Sequence, residues 1–310
     1  MTPIFIHSLW RSGSTYIWNR LRALPEVCAY YEPFHEALGV ATREELAPLS
    51  PEGWNSRHPR LDKGYYAEYL PLVGQRGVPG FEKAFSVDHF FEDDAVLASE
   101  RPYITSLIAH AQQQGQVPVL GCCRTLGRAP WLKREFGGTH IVLTRDPRQQ
   151  WHSGYLSKIE SGHAYFEIMP FQVLGKATWD PALRFKRLFG IPTFESDSFF
   201  HEHEKYFAMF GSVAFERSYA AFYALLNLSL ERAFPDADLV IDIDLLSESP
   251  SYRNEVVQSI EAETGLVVSF DDAKITRHDL TRGDQEFRAI ERSVEALISV
   301  APPARKRRHA

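Results

Sequence analysis

His7-Ser8-Leu9-Trp10-Arg11-Ser12-Gly13-Ser14-Thr15-Tyr16 lies between an apolar run and an amphipathic one. Pro3-Ile4-Phe5-Ile6 ahead of it has the make-up of a short buried strand. Thr15-Tyr16-Ile17-Trp18-Asn19-Arg20-Leu21 behind it reads as a helix that ends near Ala23-Leu24, because Pro25 cannot continue one. Strand, tight polar turn and helix in that order aim several backbone N–H groups and the positive end of the helix dipole at one place, which suits an anion. Arg11 adds a fixed charge, and Ser12, Ser14 and Thr15 add hydroxyl donors around Gly13. The stretch calls for a phosphate or a group shaped like one.

A second strand-turn-helix follows far down the chain. Thr139-His140-Ile141-Val142-Leu143-Thr144 is the clearest buried strand in the sequence, and it runs into Arg145-Asp146-Pro147, where proline suits the first turn of a helix continuing to about Lys158. Ser153 lies eight residues beyond Arg145, roughly two helical turns along the face that looks back to the strand tip. A guanidinium and a hydroxyl at one place can grip a second phosphate. Taken singly, the first motif is also what a ligand-free helix N-cap looks like, and Arg145-Asp146 is also what a surface ion pair looks like. The two in order, each at a strand-to-helix junction, favour a ligand.

A nucleotide-triphosphate loop of the G-x-x-x-x-G-K-[ST] type needs an early glycine and a lysine, and neither is present. Arg11-Ser12-Gly13-Ser14-Thr15 instead resembles the 5′-phosphosulfate loop of the PAPS-dependent sulfotransferases, [KR]-S-G-[ST]-T, at every position. Leu143-Thr144-Arg145-Asp146-Pro147 with Ser153-Gly154-Tyr155 is similar to that family's 3′-phosphate motif. The arginine at position 11 is closest to the carbohydrate and tyrosylprotein branches, while Trp10 stands where several branches carry proline.

The resemblance implies an α/β fold of three α/β/α layers around a central, mainly parallel sheet, P-loop NTPase-like, with PAPS as cosubstrate and no metal required. It assigns Arg11, Ser12, Gly13, Ser14, Thr15, Arg145 and Ser153 to the nucleotide. Tyr16 takes the place of an adenine-stacking ring or of a core tyrosine. Arg282-Gly283, in the basic loop from Lys274, is a candidate for closing over the 3′-phosphate. The implied reaction is in-line transfer of a sulfuryl group to an acceptor hydroxyl, releasing 3′,5′-adenosine bisphosphate, with Arg11 stabilising the leaving oxygen.

Such a transfer needs a base. Glu32 follows the strand Cys28-Ala29-Tyr30-Tyr31, and strand tips in a parallel sheet gather where ligands bind. The resembled branches use a glutamate there, whereas the cytosolic small-molecule branch uses histidine, which makes His35 the rival. Arg124, after the strand Val117–Cys122, falls where related enzymes face a basic residue to the reaction centre. Two other readings stay open: an ATP-dependent P-loop phosphotransferase, and a nucleotide-binding module without catalysis.

Composition sets outer limits. A chain of 310 residues, 44% of them hydrophobic, can bury a large core, and we read residues 1–300 as one domain and 301–310 as a basic tail. A net charge of −6 argues against nucleic acid as a partner. Three cysteines, two of them adjacent, form neither a disulfide framework nor a metal spacing. With no signal-like or membrane-spanning run, a cytoplasmic protein is expected. His201-Glu202-His203-Glu204 invites a metal, but residues two apart on a helix face different ways, so no metal site is expected.

Helices are expected over Asp94–Gln114, Ala129–Phe136, Arg217–Phe234 and Tyr252–Thr264, with a last strand over Ala237–Ile243. Residues 39–80, irregular and carrying Trp54, Tyr65, Tyr66 and Tyr69, are assigned to the acceptor side as a lid or binding loop. The aromatics between Gly162 and Phe200 read mostly as core packing, with an acceptor pocket as the alternative. The acceptor is a hydroxyl compound, with a sugar or other aliphatic alcohol favoured; its identity and the oligomeric state are not legible.

Overall fold

The computed structural model describes residues 1–50, 61–162 and 164–299, with the side chains of Cys122, Ser161 and Arg282 outside that set. The first half of the chain forms β1 (Ile4–His7), α1 (Ser14–Arg22), β2 (Val27–Tyr31), α2 (Arg43–Leu46), α3 (Asp94–Leu97), α4 (Arg101–Gln113), β3 (Val117–Cys122), α5 (Ala129–Phe136) and β4 (Thr139–Thr144). After these come α6 (Pro147–Ser161), α7 (Tyr165–Lys176), α8 (Asp180–Phe189), α9 (Phe199–Phe210), α10 (Phe215–Ala233), β5 (Leu239–Asp242), α11 (Ile243–Glu248), α12 (Pro250–Thr264) and α13 (Asp284–Ile298).

The five strands make one sheet in the order β2-β3-β1-β4-β5, and every pairing is parallel. β1 is central, with Ile4 in register with Val119 on one side and with Thr139 on the other. A strand covered on both faces carries apolar side chains in both directions, which is why the strand segments read as continuous apolar runs. Successive residues of β4 divide accordingly: Ile141 and Leu143 join the core that holds α1, α4 and α12, whereas Val142 joins the one that holds α7 to α10 and α13. This is an α/β protein consistent with three layers.

The order decides where a ligand fits. From β1 the chain crosses to β2 at one edge, and from β4 it crosses to β5 at the other. Adjacent strands whose connections leave in opposite directions open a crevice at their carboxyl ends. Both motif turns lie at that crevice.

The elements depart from expectation by more than a residue or two of fraying in a few places. Asp94–Gln114 is interrupted by a 3₁₀ turn at Ala98–Glu100, and α4 restarts with Pro102 in its first turn, where the missing N–H costs nothing. The last strand stops at Asp242, because that side chain accepts from the Leu245 amide at 2.9 Å and starts α11 at once. Helix α13 lies beyond the last element expected from sequence. Its buried Phe287 and Val294, with Ile290 and Leu297 packed beside them, show a helical period that marks it.

Tyr65, Tyr66 and Tyr69 are fully buried, with Tyr65 stacked on Tyr31 at 4.6 Å between ring centres and Tyr69 against Tyr30 at 5.1 Å. They belong to the core, and Tyr66 also lies beside His35, with ring centres 5.6 Å apart. Trp54 and the tail 301–310 lie outside the described residues. Among the described residues no helix is long and apolar enough to cross a membrane.

Candidate functional site

The turn after β1 is held in an uncommon backbone shape. Arg11 has φ +64° and Gly13 φ +85°. Gly13 is required on two counts: its left-handed conformation, and Ile243 Cγ2 standing 2.8 Å from where a Cβ would project. The Gly13 carbonyl accepts from the Tyr16 amide at 3.0 Å and begins α1, whose N-terminus has no side-chain cap. The first amides of a helix need partners. Nearby, Ser8 Oγ, Ser12 Oγ and Trp10 Nε1 are buried and unpartnered among the described residues. Ser14 and Thr15 instead face the sheet, where Ser14 Oγ meets Cys123 Sγ at 3.6 Å and Thr15 Oγ1 meets Tyr31 OH at 3.0 Å.

The second motif meets the first directly. Arg11 donates to Ser153 Oγ from Nε at 3.2 Å and from Nη2 at 3.1 Å, and its guanidinium lies 5.2 Å from the Phe166 ring centre. Arg145 donates to the Arg11 carbonyl at 2.8 Å and to the Thr276 carbonyl at 3.2 Å. Gln150 ties α6 to the Trp10 carbonyl at 2.7 Å. The guanidinium that reaches Ser153 is thus that of Arg11, while Arg145 fastens the turn and the loop before α13. Burial lowers the Arg145 pKa; Asp244 opposes that and the nearby Arg11 charge adds to it. Two arginines at one turn make it locally electropositive, which suits an anion.

Asp244, in the acidic turn after the last strand, adds a carboxylate beside Arg145. Its Oδ2 accepts from the Asp146 amide at 2.7 Å, and its Oδ1 lies 4.0 Å from Arg145 Nε and 3.8 Å from Arg277 Nη2. Gln149 accepts from the His278 amide at 2.8 Å and donates to its carbonyl at 2.7 Å, so the loop containing Thr276 and His278 is docked beside Arg145. Gly283 begins α13, next to Phe287 and Glu286. The Arg282 side chain lies outside the described residues. Tyr16 turns outward on α1, donating to Asp272 at 2.7 Å with its ring 6.0 Å from that of Phe270.

At the tips of β2 and β3 a second cluster forms. Glu32 has φ +41°, and with Arg11 it makes up the non-glycine residues of positive φ among those described. Such backbone persists only where its surroundings enforce it. The Arg124 guanidinium, 1% exposed, donates from Nη1 to Glu32 Oε2 and from Nη2 both to Glu36 Oε2 at 2.7 Å and to Tyr165 OH. Tyr165 OH in turn donates to Glu36 Oε1 at 3.1 Å, and Ser86 donates to Glu36 Oε2 at 3.3 Å. Burial alone would raise the Glu36 pKa; Arg124 and His35 outweigh it and hold the carboxyl below its usual value.

His35 is placed less well as a base than Glu32. Its Nδ1 accepts the Ala37 amide at 3.2 Å, which leaves the proton on Nε2, 3.8 Å from Glu36 Oε1. Burial lowers the pKa of the ring, against the pull of Glu36. Glu36 and Tyr165 were missed because neither sits in a motif; Glu36 alone, four residues from Glu32, carried a signal as a second carboxylate near the strand tip.

Two dipeptides join the clusters. Trp10 lies under the Arg124 guanidinium at 5.9 Å while Arg11 reaches Ser153, and Tyr165 bonds Arg124 while Phe166 packs under Arg11. A cationic turn that suits phosphates therefore adjoins a carboxylate at a strand tip. A cavity of about 610 Å³ bordered by Arg22, Pro25, Val27, His110 and Gln116 opens at the opposite ends of β2 and β3 and contains none of these residues. Among the described residues no three His, Cys, Asp or Glu side chains converge as a metal site. In α9, Glu202 turns inward to Lys83 and Lys176 while His201 and Glu204 face solvent.

No protein-family model matches the chain, and no curated protein matches it.

Proposed function

We propose that the protein transfers a sulfuryl group from PAPS to an acceptor hydroxyl, on a P-loop-like sulfotransferase fold. The observation that carries this reading is the contact of Arg11 with Ser153, which joins the two phosphate motifs at the switch point of the sheet. Arg11, Ser12, Gly13 and the amides that open α1 would hold the 5′ end of the nucleotide, and Arg145 and Ser153 the 3′-phosphate. PAPS brings the sulfuryl group and the phosphate that leaves. Arg11 and the helix terminus supply fixed positive charge where the leaving oxygen gains negative charge. Glu32 takes the acceptor proton, with His35 as the rival.

Calorimetric titration with 3′,5′-adenosine bisphosphate, 5′-AMP and ATP plus magnesium tests the nucleotide. The bisphosphate should bind best, and Ser153→Ala should weaken it roughly tenfold to a hundredfold, the effect of losing a hydrogen bond to a charged group. Preference for ATP with magnesium would sink the reading in favour of phosphoryl transfer. Glu32→Gln should bind the bisphosphate normally and lose transfer from labelled PAPS. Survival of turnover would move the base to His35, and normal binding with no transfer by the wild type would leave a nucleotide-binding module.

A further inference from the structure

We infer that Glu36 and Tyr165 are positioning residues that act on Glu32 through Arg124, an inference that rests on Glu32 being the base. Arg124, Glu36 and Tyr165 form a closed triangle: Arg124 Nη2 donates to Glu36 at 2.7 Å and to Tyr165 OH, and Tyr165 OH donates to Glu36 at 3.1 Å. A closed ring of hydrogen bonds, with Ser86 on Glu36 and Trp10 against the guanidinium, leaves Arg124 one orientation. Glu32 hangs from that triangle by one edge, from Arg124 Nη1 to its Oε2.

Arginine and a carboxylate on their own prefer a two-pronged pairing, in which both oxygens are taken. Glu36 and Tyr165 hold the second prong of Arg124 away from Glu32. One oxygen of Glu32 is then anchored and the other is kept for the acceptor hydroxyl. Both oxygens of Glu36 are engaged, Oε2 by Arg124 and Ser86 and Oε1 by Tyr165, whereas Glu32 is held through Oε2.

Replacement of Glu36 by glutamine keeps the shape and removes the charge that draws Arg124 aside. In Glu36→Gln the guanidinium should swing fully onto Glu32. Carbodiimide labelling of the full-length protein, followed by peptide mass spectrometry, should show Glu32 modified several-fold more slowly than in the wild type. Turnover from PAPS should fall on the order of a hundredfold, the usual effect of a misplaced reacting group, while bisphosphate affinity stays unchanged. Tyr165→Phe should do the same more weakly.

Glu100→Gln is the structural control. Glu100 is a fully buried carboxylate 2.6 Å from Arg128, so its loss should lower the melting temperature without changing Glu32 labelling. Unchanged Glu32 labelling in both Glu36→Gln and Tyr165→Phe overturns the proposal. Slower labelling in a protein that transfers no sulfuryl group upholds the arrangement and removes Glu32 from the role of base.

Discussion

Acid should destabilise this protein through a histidine pair at the strands β1 and β4, under the turn that carries Arg11 and Gly13. His140 Nε2 faces the Gly137 carbonyl at 3.0 Å and must donate to it, so His140 Nδ1 accepts from His7 Nε2 at 2.9 Å. His7 Nδ1 is buried and unpartnered among the described residues. Protonating His140 would set two donors against each other, and protonating His7 would bury a charge with no acceptor. Burial, the first cause, pushes His140 down to about 4 and His7 well below its ordinary value.

A folded pKa below the unfolded ~6.5 gives stability that is complete above pH 6.5 and is lost as pH falls towards the folded value. Between pH 7.5 and 5 the loss from His140 is about 2 kcal/mol, and His7 adds a loss of the same sign. Urea unfolding midpoints measured from pH 7.5 to 5 should fall steadily below pH 6.5. In His140→Gln, which can still donate and accept, the slope of stability against pH should shrink by roughly 1 kcal/mol per pH unit between pH 6.5 and 5. Equal slopes in wild type and variant would refute the assignment of both tautomers.

Gly13→Ala combines a left-handed backbone with a methyl against Ile243, so it should cost about 2–4 kcal/mol in urea unfolding and weaken bisphosphate binding in calorimetry. Arg124→Met leaves two buried carboxylates with no cation, and the melting curve should record a loss of about 3–5 kcal/mol, more than any single surface ion pair such as Arg134 with Asp94 would give.

The strands and both motif turns were legible because a sheet covered on both faces demands unbroken apolar runs, and because serines, glycine and arginine after such a run have few structural uses. Glu32 and Arg124 were legible one at a time. What escaped was convergence: Tyr165 lies 129 residues from Glu36, and His140 lies 133 from His7. No local pattern records such pairs. Helix α13 was legible from Phe287, Ile290, Val294 and Leu297 and was passed over. Tyr65, Tyr66 and Tyr69 were ambiguous because aromatic residues in an irregular segment fit a binding loop and a core equally well until burial is known.

The central place of β1 has a consequence for how the chain acquires its structure. Among the described residues β1 pairs with residues 119–122 and 139–142, both far along the sequence from it. It must wait, apolar and without these hydrogen-bonded neighbours, until residues 119–142 have been made, and contacts of that sequence separation form slowly. A fragment ending before residue 139 cannot enclose β1. The turn from Ser8 to Ser14 therefore takes shape only when the sheet closes around it, and a growing chain should depend on protection from aggregation until then.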